Sequence, residues 1–390
     1  MKVLFISELM TGRDSGAKVS TWFHAEIINS IVDELDVVCL YPYTDIKETE
    51  KDKFRKFHNV FFLKSFSNKI EKISNILFLN GWCMNGKIRK QIIKIVGEYQ
   101  YDVIFIDDSV MGKLAKKLKR YFPQIKLISY YHDVKAELAV KWLKENGVKT
   151  LPYNLGLIIN EKINQKHVDV NLVLNKRESN LFEKYYRKTP EGLLPVGVPD
   201  IEKEYTLEKN DDSENVCNLL FVGAYYYPNV KGIKWFIINV LKKLDKKKYH
   251  LTIIGSGMEY ILHEIEPLEN LTIKGWVDNL ADEYMHADIV VEPLFEGGGM
   301  KIKTAEALQF GKCIVGTKES FEGYEEYFGS DVKDIYLFCC NSQESFIAVI
   351  QKLSDRIHSR NMIPEVRKIY LDHFSLESNK NIIQKSIYGN

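Results

Sequence analysis

The stretch VEPLFEGGGMKIKTAEALQFGKCIVGTKESFEGYE, residues 291–325, decides how the rest of the chain is read. It opens on the end of an apolar run, ADIVVEP, that reads as a strand finishing at Pro293. Three glycines follow, Gly297, Gly298 and Gly299, and a helical pattern begins near Met300 or Lys301. Glycines let backbone amides approach a ligand with no side chain in the way. A helix N-terminus adds unpaired N–H groups and partial positive charge. Together these make an anion site suited to a diphosphate. Lys301 and Lys303 add charge, and Glu306, one turn on, is placed to accept hydrogen bonds from ribose hydroxyls. The bland alternative is a tight strand-to-helix turn with two solvated lysines.

Outward from this stretch the same alternation recurs. KVLFIS, LDVVCLYP, NVFFL, YDVIFI, KLISYY and VDVNLVLN read as buried strands in the first half, with helical periodicity at Val19–Val32 and Met111–Tyr121. CNLLFVG, YHLTIIG, NLTIKGW, ADIVVEP, GKCIVGT and DIYLFC repeat the pattern in the second. Strands alternating with helices imply βαβ units and parallel sheets covered on both faces. The segment 189–214 breaks the pattern, with three of the ten prolines and a charged, polar run, and marks a domain boundary. The expectation is an α/β chain of two doubly wound, Rossmann-like domains, 1–198 and 216–372, joined by a linker over 199–215. Such sheets bind ligands at their strand C-termini, so the two domains are expected to face a shared cleft.

The 390 residues exceed what one core usually holds. A formal net charge of +1 gives no general attraction to nucleic acid. The cysteines, Cys39, Cys83, Cys217, Cys313, Cys339 and Cys340, form no CxxC pair or zinc-ligand spacing and read as reduced, structural thiols. The opening MKVLFISEL is a buried first strand rather than a signal peptide, and no run approaches the ~18 apolar residues of a membrane span. A cytoplasmic protein is expected, any membrane contact being peripheral, at the inner face.

Pro293-Leu294, Gly297–Gly299, Lys301-x-Lys303, Glu306-Ala307-Leu308, Gly311-Lys312, Val315, Thr317 and Glu322-Gly323 resemble the donor motif of the retaining GT-B glycosyltransferases, group 1 class. Leu220–Gly223, Tyr227–Asn229, Lys231-Gly232, Trp235-Phe236, Ile253–Gly257, Gly275–Val277 and Ala287-Asp288 continue the likeness. The resemblance implies a GT-B fold, glycine amides and a basic residue on the diphosphate of a nucleotide sugar, and the Glu306 carboxylate on its ribose. It places Gly16, Gly223, Lys231, Gly255, Val277, Glu296, Gly297, Gly298, Gly299, Met300 and Lys301 on the donor, with His132, Lys303 and Glu306 as catalytic residues. It also implies retention, closure of the two domains, and a last helix (373–390) crossing back onto the N-terminal domain. One departure matters. Many members carry two glutamates eight positions apart, and eight before Glu306 stands Gly298. Glu296 is left as a candidate sugar contact, and sugar identity does not carry over.

On the acceptor side the family offers a glycine-containing loop, here Glu8–Lys18 with Gly12 and Gly16, and a histidine after a later strand, here His132 in KLISYYHDVKAEL. A histidine there can hydrogen-bond the transferred group. Asp133 reads as the N-cap of the next helix, and His24 has no functional case. Asp107-Asp108 resembles a metal-binding acidic pair, but a solvated helix N-terminus accounts for it better. No metal is expected, and no cofactor beyond the nucleotide-diphosphate sugar as co-substrate. Residues 65–94 and 113–120 mix lysines with apolar residues and Trp82. They read as amphipathic helices packed on the sheet, with an anionic membrane surface as the alternative. The implied partners are a nucleotide sugar and a glycan or lipid-linked acceptor, for a bacterial surface glycan; the rival functions are a nucleotide-sugar 2-epimerase and a non-catalytic subunit.

Overall fold

The computed structural model describes residues 1–11, 16–42, 46, 48–80, 84–199, 216–356 and 362–389, with only the backbone at Glu145. Among the described residues, thirteen strands form two sheets, each wholly parallel. The first holds β1 Lys2–Ser7, β2 Glu34–Tyr41, β3 Asn59–Lys64, β4 Val103–Ile106, β5 Lys126–Tyr131, β6 Val170–Val173 and β7 Gly192–Leu193. Their order is β3-β2-β1-β4-β5-β6-β7. The second holds β8 Cys217–Val222, β9 Tyr249–Ile254, β10 Leu271–Lys274, β11 Ile289–Glu292, β12 Cys313–Gly316 and β13 Leu337–Cys339, in the order β10-β9-β8-β11-β12-β13. This is the doubly wound α/β architecture, twice. The strands are continuous apolar runs because helices cover both faces: Val3–Ile6, Val37–Leu40 and Ile289–Val291 are fully buried. In each sheet the strand order reverses beside the first strand, the switch point where such folds bind ligands.

The chain divides into two compact units, Met1–Pro195 with Asn379–Asn390, and Val196–Ser378. Within the first, Lys126 Nζ donates to the Ile387 carbonyl (3.2 Å) and Tyr388 OH to that of Ile31 (2.6 Å), anchoring the chain's last helix. The proline-rich segment read as a boundary contains β7, which pairs Leu172 with Gly192. Proline is tolerated beside such an edge strand, so composition alone hid it. Most of the expected linker, residues 200–215, lies outside the described residues, as do Gly12, Trp82 and Cys83.

Two of the amphipathic stretches behave as expected. The helix Gly112–Tyr121 buries Leu114, Ala115 and Leu118, and the helix Gly86–Tyr99 buries Ile88, Ile92, Ile95 and Val96. The helix Lys69–Leu77 differs: Ile70 is 77% exposed, and Ile73, Leu77 and the following Phe78 are also exposed. Its apolar face is not packed on the sheet. No described helix is long and apolar enough to cross a membrane.

What positions the site in the second unit is a close approach. Gly232, inside the helix Tyr227–Asn239, packs so tightly on the end of β11 that a Cβ there would lie 2.0 Å from the Pro293 carbonyl oxygen.

Candidate functional site

Past Pro293 the chain turns through Gly297 (φ +153°) and Gly299 (φ +61°). Residues with a Cβ rarely adopt these values, so the glycines are a backbone requirement. The helix Ile302–Gln309 follows, one or two residues later than the sequence suggests, because Lys301 is still extended (φ −90°, ψ 116°). Lys301 makes no side-chain cap, so the amides of the first turn have no side-chain acceptor from the N-cap residue. Met300 is buried beneath the turn.

The cations separate into three kinds. Lys301 Nζ donates to the carbonyls of Gly299 (2.8 Å) and Gly298 (3.3 Å) and pairs with Glu319 Oε1 (2.8 Å). Rather than being solvated or held out for phosphate, it braces the glycine turn. Lys231 pairs with Glu296 Oε1 at 2.8 Å, both side chains about half exposed. Exposed pairs of this kind contribute about 0–1 kcal/mol and exchange partners readily. Lys303 is held from several sides. Its Nζ donates to Asn229 Oδ1 (2.8 Å), lies 4.3 Å from the centroid of the Phe221 ring, and sits where a Cβ on Gly223 would be only 2.7 Å away. Burial pushes its pKa down, against the pull of Glu292 and Glu306.

Glu306 accepts from Tyr284 OH (2.9 Å), and burial raises its pKa. Gly255 donates its N–H to the Gly275 carbonyl (3.1 Å) and touches the end of β8, where a Cβ would be 1.9 Å from the Gly223 oxygen. Val277 is half-buried in the loop after β10. The structure therefore brings Lys303, Glu306 and Gly223 into one cluster, joins Lys231 to Glu296, and joins Lys301 to the turn. Four residues of the cluster were not singled out in the sequence: Asn229 and Phe221, though both inside quoted motifs, Tyr284 and Glu292. Glu292 had a signal, being the lone acid in the apolar run IVVE.

Gly16 lies in the other unit, exposed, as the first residue of the helix Gly16–Ile31. There too, His132 stands one residue past β5 with a side chain 10% exposed, its Nε2 3.2 Å from Asp107 Oδ2. Asp107 also receives His24 Nδ1 at 3.3 Å, Ser7 Oγ at 3.2 Å and Thr21 Oγ1. Burial alone would raise its pKa, but the two histidines hold it far below the usual carboxylate range. Asp107 and Asp108 are thus not a solvated helix end. Both are buried, and Asp108 Oδ1 accepts from Val110 N–H (2.9 Å). His24, dismissed on sequence, shares the Asp107 clamp. Asp133 does not cap the helix Lys135–Asn146; its carboxylate pairs with Lys135 Nζ (3.3 Å). That cap comes from a distance: Glu161 accepts from the amides of Lys135 (2.9 Å) and Ala136 (2.8 Å), and Glu178 from that of Val134 (2.7 Å). Nε2 is on Asp107, and among the described residues His132 Nδ1 has no hydrogen-bond partner.

Residues 217–356, within the unit bearing the glycine turn, match the sequence model of the family described as glycosyl transferases group 1. The likeness to the group 1 glycosyltransferases thus covers about a third of the chain. The chain is 23% identical over 327 residues to a 44.6 kDa protein of the cps region of Klebsiella pneumoniae, covering 79% of this chain and 80% of the relative. A second cps-region protein of that organism, of 41.2 kDa, is 31% identical over 99 residues, about a quarter of each chain. Among solved structures, Anabaena HepE in complex with UDP and glucose superposes with a TM-score of 0.70 at 13% identity over 100% of both chains. WaaG, a glycosyltransferase involved in lipopolysaccharide biosynthesis, gives 0.68 at 16%, again over 100% of both. At such identities the likeness establishes the fold, GT-B.

Proposed function

We propose that this protein is a glycosyltransferase that moves a hexosyl group, with retention, from a nucleoside-diphosphate sugar to a glycan or lipid-linked acceptor during synthesis of a surface polysaccharide. One observation carries the donor half: a glycine turn with two positive-φ residues, a helix start without a side-chain cap, and a desolvated lysine meet beyond β11. Backbone amides would take the diphosphate oxygens, and Lys303, partly stripped of water, would stabilise the charge that builds on the leaving nucleoside diphosphate. Lys231 would exchange Glu296 for a phosphate at small cost. Glu306, held by Tyr284, would accept from the ribose. Asp107 fixes the tautomer of His132 in the other unit, leaving Nδ1 to contact the transferred sugar.

Cations of the chain itself supply the charge stabilisation, so the proposed reaction needs neither metal nor cofactor. Support for the donor class comes from Anabaena HepE, whose structures hold UDP, UDP with glucose, and UDP-glucose. Support for the pathway comes from the two cps-region relatives. The exposed apolar face of the helix Lys69–Leu77 favours a peripheral contact with an anionic membrane, where a lipid-linked acceptor would reside.

A thermal-shift screen against UDP-, GDP-, CMP- and dTDP-sugars tests the donor reading. At least one nucleoside-diphosphate sugar should raise the melting temperature, and Lys303→Ala and Glu306→Ala should remove the shift. No shift with any nucleotide sugar at millimolar concentration would reject the reading. Turnover that survives a chelator supports metal independence, and turnover abolished by it refutes that part.

A further inference from the structure

Glu292 is a charge the donor chemistry does not obviously need. It ends β11, is fully buried, and directly precedes the proline that opens the glycine turn. One carboxylate oxygen, Oε2, accepts from Thr304 Oγ1 at 2.7 Å. The other, Oε1, has no hydrogen-bond partner among the described residues. A buried carboxylate oxygen with no donor is costly, and a group so placed tends to be neutralised by a cation or by a proton.

The charged groups that face it come from every side of the site. Lys303 and Glu306 lie on the helix Ile302–Gln309, one residue before and two after Thr304, and Lys301 stands at its start. Tyr284 comes from the helix Leu280–His286, and Tyr324 from the loop after β12. Lys301 is already held by Glu319 and two carbonyls, and Glu306 by Tyr284. Lys303 exerts the larger cationic pull on Glu292, and Lys301 a smaller one. Burial raises the Glu292 pKa while Lys303 and the Thr304 hydroxyl lower it, a balance sensitive to any new charge.

We infer that Glu292 is a positioning residue which takes up a proton on Oε1 when a nucleoside diphosphate occupies the glycine turn and releases it when the nucleotide leaves. The inference rests on the donor reading. A diphosphate at the turn draws on the Lys303 ammonium and brings negative charge close through a poorly screening interior. Both effects favour the neutral acid at Glu292. The proton comes from solvent buffer and no bond of the substrate changes. The result is that the leaving diphosphate meets an ammonium not offset by a carboxylate behind it.

The test is an infrared difference spectrum of the whole chain with and without UDP, and separately GDP, using protein carrying 13C-labelled glutamate to isolate glutamate carboxyl bands. A gained protonated-carboxyl band that moves with the label and disappears in both Glu292→Gln and Glu292→Ser, with nucleotide still bound to each variant by calorimetry, supports the inference. Nucleotide that binds with no gained band overturns it while leaving the donor reading intact, as does a band that survives in Glu292→Gln. If neither nucleotide binds at millimolar concentration, the donor reading falls and takes this inference with it. A residue that merely fills space would give no such band.

Discussion

Gly232→Ala would place a methyl carbon 2.0 Å from the Pro293 carbonyl oxygen and 3.0 Å from its carbon, where ordinary contact begins near 3.4 Å. Either the helix Tyr227–Asn239 or the strand end must retreat by about 1 Å. The strand end resists, because Leu294 N–H is bonded to the Glu292 carbonyl (2.9 Å) and Thr317 Oγ1 holds the Leu294 carbonyl. In an unobstructed helix, alanine is better than glycine by about 1 kcal/mol. Here a 2.0 Å contact puts overpacking at the upper part of its usual range, about 2–3 kcal/mol, which outweighs that gain. We expect a net loss of about 1–2 kcal/mol, seen as a melting point lower by roughly 2–8 °C. Pro293 opens the glycine turn, so nucleotide affinity should also fall, by about tenfold or more. Gly97→Ala is the control. Gly97 is exposed on the helix Gly86–Tyr99, and its added methyl would meet only the Phe122 ring, at 3.7 Å. It should gain about 0.5–1 kcal/mol. Thermal unfolding and calorimetric titration with nucleotide read both effects. A Gly232→Ala protein as stable as the parent, with unchanged affinity, would mean that this helix does not press on the strand end.

The three lysines should rank by how they are held. Lys303→Met should weaken nucleotide binding by about 1.5–3 kcal/mol, roughly 10- to 150-fold, the range for a hydrogen bond to a charged group. Lys231→Met should change it by no more than about 1 kcal/mol, and Lys301→Met should lower the melting temperature more than Lys231→Met does, since it leaves two carbonyls and Glu319 unbraced. Equal losses for all three in calorimetry would contradict the ranking. His24 is buried with its pKa lowered, first by desolvation, so the folded chain binds its proton less tightly than the unfolded chain. Its contribution is full above the unfolded value of about 6.5 and is lost as pH falls below it. Denaturant unfolding across that window should show a slope that His24→Gln reduces; an unchanged slope would count against it. Ile73→Asp on the exposed face of the helix Lys69–Leu77 should reduce co-sedimentation with phosphatidylglycerol vesicles while leaving nucleotide affinity unchanged. A parent protein that ignores such vesicles would remove the membrane contact from the account.

Much of the fold was legible because parallel strands buried on both faces are unbroken apolar runs, as in Val103–Ile106 and Ile289–Val291, and need no partner to be recognised. Only β7 escaped, being two residues long and set among prolines. The glycine turn was legible for a local reason, that backbone freedom at Gly297 and Gly299 is written in the residues themselves. What stayed hidden depends on distant pairing. Nothing near Asp107 shows that His24, 83 positions earlier, and His132, 25 later, converge on it. Nor does the sequence show that Lys301 turns back onto its own loop while Lys303, two residues on, faces Asn229 and Phe221. Glu161 and Glu178 displaced Asp133 as caps because the donor amides faced helices far along the chain. Proximity in sequence favoured the wrong carboxylate.

A crystal structure of the chain with its preferred nucleoside diphosphate would weigh most heavily on all of this. Diphosphate oxygens within hydrogen-bond reach of the amides between Gly297 and Lys303, and of Lys303 Nζ, are the predicted result. A nucleotide seated elsewhere, with that turn closed by side chains, would contradict it.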